Sequence, residues 1–213
     1  MSNIKIPNYS LCEELINSIT HGIGALLSIP ALILMIIKAN SFSEVFLCTI
    51  FGTSMIILYT MSCIYHALSK NIKGKKVLRV LDHCNVFLLV WGTYIPVSLL
   101  AVRGTVGWIL FSIVSVISIV GIVFSAINVD KFSVLSVICH LVNGWSILVG
   151  VKSIINNVGY NALIMMLAGG ILYSIGSILY GIGSKKKYMH SVFHFFCLLG
   201  TLFHFLAIYL YIL

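Results

Sequence analysis

Charge is what this sequence has least of. Five acidic and thirteen basic side chains are spread over 213 residues, 8% of the chain, where soluble domains carry roughly a quarter. So few polar groups cannot cover a soluble fold of this length. With 60% hydrophobic residues and a mean hydropathy of +1.11, most of the surface must face lipid, so the chain reads as an integral membrane protein.

Other absences narrow the function. The six cysteines (Cys12, Cys48, Cys63, Cys84, Cys139, Cys197) form no C-x-x-C pair and sit mostly inside apolar runs. They read as small hydrophobes, which excludes a thiolate metal site or a disulfide frame. The excess of basic over acidic residues, +8, lies in short connections and not on an aromatic-interleaved or amphipathic surface, so no nucleic-acid partner is expected. Residues 1–17 are polar, carry Glu13 and Glu14 and lead into the first apolar run without a small-residue cleavage site. The first span is therefore expected to be retained and not removed as a leader.

What is there in abundance is long apolar sequence. A membrane-spanning helix needs about 20 such residues, and runs of that size occur at 18–38, 44–68, 78–100, 105–127, 133–152, 161–182 and 190–212. The expected fold is an all-α membrane protein, a single seven-transmembrane helix bundle over 1–213. The side of the N-terminus holds Lys5, Lys70, Lys73, Lys75, Lys76, Arg79, Lys131, Lys185, Lys186 and Lys187; the other holds Lys38, Arg103 and Lys152. Ten basic residues against three predict a cytoplasmic N-terminus and, with an odd number of spans, a C-terminus outside. Pro30 and Pro96 should kink the first and third spans, and Gly169, Gly170, Gly176, Gly181 and Gly183 read as close helix contacts in span six, with a hinge as the alternative.

Ionisable residues within spans are expensive and point to function. They gather in three segments: Ser62-Cys-Ile-Tyr-His66 closing span two, Leu81-Asp82-His83 opening span three, and His190-Ser-Val-Phe-His194 opening span seven. The predicted orientation puts all three toward the same face. Histidines at i and i+4 share one side of a helix about 6 Å apart along its axis, close enough to meet on one ion. Zinc accepts imidazole nitrogen in a tetrahedral shell, and catalytic sites use three protein ligands plus water. His66, His190 and His194 are thus candidate zinc ligands. Asp82 is a candidate ligand, ligand-orienting partner or general base, and Ser62 a hydrogen-bond donor to a bound water or a substrate carbonyl.

Blander readings exist for each. An H-x-x-x-H pair at a span end also serves as a polar cap at the headgroup level, and a membrane serine often bonds back to its own helix. His83 points about 100° away from Asp82 and reads as interfacial. His204 lies about 15 Å deeper than His194, too far to share an ion, and His140 and Asn143 either line a cavity or, the reading preferred, serve as interhelical hydrogen-bond partners. Glu14, Asn17 and His21 form one polar stripe at the start of span one, which either closes the site or caps the helix.

These residues resemble the hemolysin III branch of the progestin and adipoQ receptor family. The resemblance runs in order through Glu13-Glu14-x-x-Asn17-x-x-Thr20-His21-Gly22, Ser62-x-x-x-His66, Leu81-Asp82-His83, Gly92-Thr93-Tyr94-x-Pro96 and His190-x-x-x-His194, and the size is that of the bacterial members. It implies seven spans in a bacterial inner or plasma membrane, zinc held by His66, His190 and His194, and Asp82 and Ser62 beside the metal's water. Similarity to alkaline ceramidases further implies hydrolysis of a lipid amide, with membrane lipids as surroundings and a lipid-like substrate. The branch name raises a pore-forming, haemolytic cytolysin as an alternative, although no regular polar stripe that would line a wide channel is seen. A receptor or sensor with structural zinc is a third.

Overall fold

The computed structural model describes residues 4–183 and 186–213; Lys185 of the basic loop before span seven lies outside them. Among the described residues all regular structure is helical. In chain order it comprises α1 (Leu11–Lys38), α2 (Phe42–Ala67), α3 (Gly74–Pro96), α4 (Gly104–Asn128), α5 (Ser133–Trp145), α6 (Val151–Val158), α7 (Tyr160–Gly183) and α8 (Met189–Ala207). Wide π turns extend α3 through Val97–Val102 and α8 through Ile208–Ile212, and a tight 3-10 stretch, Ser146–Gly150, joins α5 to α6. Seven of the resulting runs are long and apolar enough to cross a bilayer, with α5 and α6 forming one span over Ser133–Val158. Large apolar side chains such as Leu26, Ile37, Trp108, Ile119, Ile127 and Ile178 point outward, as a lipid-facing surface requires.

α1 starts well before its apolar run does. Ser10 accepts the Glu13 N–H and the Glu13 carboxylate accepts the Ser10 N–H at 2.9 Å, a reciprocal cap that satisfies two free backbone donors. The same cap carries the polar turn containing Glu14 and Asn17 into the bundle as helix. Pro30 lies inside α1 and Pro96 at the change from α to π in α3, where the missing N–H makes a wider turn cheap. The fifth span breaks at residue 146 because its backbone finds a partner elsewhere. Tyr94 Oη donates to Gly144 O at 2.7 Å and accepts the Ile147 N–H at 2.9 Å.

α1 packs against α2 and α8, and α3 against α2 and α4. A side chain at Gly24 would collide with Leu198 of α8 and with Tyr59 of α2, so a bare backbone there lets the three helices α1, α2 and α8 approach closely. Phe51, Met55, Tyr59, Met166 and Ile208 are fully buried in the shared core. Tyr59 and Tyr173 both hydrogen-bond Thr201, joining α2 and α7 to α8 at mid-depth.

The end of the bundle where α1 begins is crossed by a strap, residues 4–10. Lys5 N donates to Asp130 at 2.9 Å, Arg79 reaches both the Lys5 carbonyl (2.6 Å) and Asp130 (2.8 Å), and Lys70 holds the Tyr9 carbonyl at 3.1 Å. Asp130 lies between α4 and α5. Burial pushes its carboxyl up, but the bonds from Arg79 and the Lys5 N–H outweigh that and hold it below the usual carboxylate range.

Candidate metal centre

His66 occupies the last turn of α2, and His190 and His194 the first two turns of α8. One ring nitrogen from each lies within 4.8 Å of the others, and all three residues are buried. The Nε2 atoms of His190 and His194 are 3.2 Å apart. Two donors in a tetrahedral shell at zinc–nitrogen lengths of about 2.0–2.1 Å stand about 3.4 Å apart, so this pair already has the spacing of a chelate. His66 Nε2 is buried without a hydrogen-bond partner, while its Nδ1 lies 2.6 Å from Glu14 Oε2. Three imidazoles, one of them with a free inward nitrogen and an occupied outward one, fit a borderline-soft divalent ion.

The rings are held by aromatic contact on every side. Tyr9, from the strap, stacks on His190 at 4.8 Å between centroids, His21 stacks on His194 at 3.7 Å, and Tyr65 meets His66 edge-on at 4.6 Å. The polar stripe of α1 therefore closes the site. Asn17 Nδ2 stands 3.5 Å from His66 Nδ1, Glu14 binds the same nitrogen, and His21 covers the second ligand of α8. Glu13, its neighbour, accepts the Tyr188 N–H at 2.8 Å, which ties down the turn that leads into His190.

A cavity of about 110 Å³ opens beside His190 and His194, between α3, α5, α7 and α8, and Ser62 and Asp82 line it. At roughly 10–15 Å³ of such volume per water, there is room for several waters or a length of acyl chain. Its other walls are largely apolar, including Leu58, Val86, Leu89, Leu141 and Phe193. Ser62 is fully buried and its hydroxyl pairs with the Asp82 carboxylate, so it is not spent on its own helix. His83 also lines this cavity, edge-on to Tyr180 at 5.8 Å, although the sequence suggests an interfacial place: the cavity is broad enough to take in a residue 100° from Asp82.

Of the deeper polar residues, Asn143 makes the expected interhelical bond, to Ser118 at 2.8 Å. His140 differs: it stacks on Phe87 at 3.6 Å, lines the cavity and leaves Nδ1 unpartnered. His204 stands apart from the site, against Tyr173 and a second small cavity.

Two participants escape sequence reasoning. Lys75 counts there only as a loop charge, yet it is buried at 1% exposure and pairs with Glu14 at 2.7 Å and with the Leu68 carbonyl at 2.7 Å. Its place in the first turn of a helix, where positive charge opposes the dipole, is the available signal. Tyr9 has none, because its contact with His190 spans nearly the whole chain.

A seven-helix membrane bundle with three buried histidines converging at one end defines the class: a multi-pass integral membrane protein with a candidate metal centre set within the bundle. The chain belongs to the hemolysin III family. The family model described as "Haemolysin-III related" matches residues 9–205, a stretch that holds every site residue. Hemolysin-3 of Bacillus cereus is 40% identical over 204 residues, covering 94% of this chain and 92% of the relative. The Hemolysin-3 homolog of Bacillus subtilis (strain 168) is 38% identical over 206 residues, covering 95% and 96%. No solved structure matches.

Proposed function

We propose that this protein is a zinc-dependent intramembrane hydrolase acting on a lipid amide, in the plasma membrane of a bacterium with its N-terminus in the cytoplasm. The observation that carries this reading is one arrangement: three buried imidazoles within 4.8 Å of one another, beside a largely apolar cavity that Asp82 and Ser62 also line. A purely structural metal needs no such chamber, and a pore would need a continuous polar path.

His66, His190 and His194 would hold the ion through one ring nitrogen each. Zinc supplies Lewis acidity toward a carbonyl oxygen and brings the pKa of its water to about 7. The chain's residues do the rest. Asp82 accepts the proton of the attacking water and passes it to the departing nitrogen, and the Ser62 hydroxyl donates to the carbonyl oxygen. The water oxygen bonds to the carbonyl carbon, the carbon–nitrogen bond breaks, and a fatty acid and an amine leave. Apolar walls accept the acyl chain and limit bulk water.

The test is metal analysis and turnover on the purified full chain, with a ceramide as probe. One zinc per chain is expected, lost in His190→Ala and His194→Ala, while Asp82→Ala keeps metal and loses ~10²–10⁴ in rate. Stoichiometric zinc without turnover on lipid amides would remove the hydrolase and leave the metal. Ion conductance in proteoliposomes that ignores the histidine substitutions would favour the cytolytic reading that the relatives' names suggest.

A further inference from the structure

Two adjacent carboxylates open α1 and do different work. Glu13, itself buried, caps its own helix and holds Tyr188. Glu14 turns into the bundle, where one oxygen takes His66 Nδ1 at 2.6 Å and the other takes Lys75 Nζ at 2.7 Å. Lys75 is itself fastened to the Leu68 carbonyl and lies over the Tyr65 ring at 5.2 Å. Leu68 directly follows α2, and Tyr65 precedes His66, so the chain of contacts closes on the segment that presents the histidine.

A lone glutamate facing lipid-depth protein would be costly, and helix capping is already provided by Glu13. The geometry explains the expense another way. An imidazole offers its lone pair at one nitrogen only when the other carries the proton, and an acceptor on that second nitrogen selects the tautomer and the ring orientation. Glu14 sits on Nδ1, and Nε2 is the atom left buried and unpartnered.

We infer that Glu14 is the positioning residue of the metal site: it accepts a hydrogen bond from the Nδ1–H of His66, aims Nε2 toward His190 and His194, and is held in place by Lys75. This rests on the metal-site reading above. Zinc affinity is then set jointly by α1, by the start of α3 and by the three ligands. Lys75 also links the connection between α2 and α3 mechanically to His66, so movement there is felt at the metal.

The test uses the full chain in detergent or nanodiscs, as wild type, Glu14→Gln, Glu14→Asp and the doubly neutral Glu14→Gln/Lys75→Met, the last avoiding a stranded buried ammonium. Zinc affinity is measured by competition with a chelator, and the His66 tautomer by 15N NMR of the metal-free protein. Glu14→Gln and the double variant should bind zinc ~10–100-fold more weakly, Glu14→Asp should recover part of that, and the single His66 tautomer of the wild type should become a mixture in the Gln variants. Wild-type zinc affinity in a Gln variant that only melts earlier without metal would make Glu14 a structural residue and overturn the inference. A wild type that binds no zinc would defeat the metal reading, while the tautomer measurement would still decide what Glu14 does to His66.

Discussion

The two ends of the bundle treat buried polarity in opposite ways. Where α1 begins, polar atoms are buried and left without partners: Asn17 Oδ1, His66 Nε2 and Ser191 Oγ. Toward the other end, side chains are used to finish the backbone. Lys38 donates to the Tyr209 carbonyl, Asn157 to the carbonyls of Ala101 (2.9 Å) and Val102 (3.1 Å), and Tyr94 serves both Gly144 and Ile147. Ser98 Oγ and His204 Nδ1 are the exceptions there. Each buried polar atom without a partner costs about 1–3 kcal/mol, so one end gives up stability where the other gains it. Stability withheld in one place, around three potential ligands, is what a binding site costs before its ligand arrives.

The same chemical change at the two ends should therefore have opposite signs. Tyr94→Phe keeps the ring but strands the Gly144 carbonyl and the Ile147 N–H at the break in the fifth span. It should destabilise the metal-free protein by about 1–3 kcal/mol, read as a lowered unfolding midpoint in detergent. Ser191→Ala likewise deletes a hydroxyl, but one that is buried and that nothing satisfies. A gain of about 1 kcal/mol is expected, read in the same assay with zinc stripped. Loss of stability in Ser191→Ala comparable to that in Tyr94→Phe would erase the distinction between a site end and a scaffold end.

Much of this architecture is legible in the residues alone. Hydropathy marks seven spans, because a run of about 20 apolar residues can satisfy its own backbone in lipid as a helix. That His66 meets His190 and His194 follows from an i,i+4 spacing and from span ends on one face. The start of α1 at Leu11 is written locally, in the Ser10–Glu13 capping box that precedes the apolar run, whereas the break at Ser146 depends on a tyrosine 53 positions away from Ile147 and no local pattern shows it. Tyr9 is hidden for the same reason, and Lys75 shows only as a charge set against its helix dipole. Both take their roles from partners that are remote in sequence.

The smallest effect belongs to the strap that covers the site end, and it depends on pH. Asp130 joins Lys5 to Arg79, and its carboxyl sits below the usual range because those bonds outweigh its burial. A group whose pKa is lower folded than unfolded adds stability that is fully present above the unfolded value of about 3.9 and is lost as pH falls through the native one. The pair is partly exposed, so the contribution is at most about 1 kcal/mol. Amide hydrogen exchange in residues 4–10 should accelerate relative to the intrinsic rate as the medium is acidified through that window, and Asp130→Asn should show the faster exchange already at neutral pH. Zinc affinity should change little in that variant, because Tyr9 reaches His190 from a part of the strap that Lys70 holds independently. Equal protection of the strap in wild type and Asp130→Asn would place the whole closure on Lys70 and reduce the Asp130 clasp to a surface ion pair.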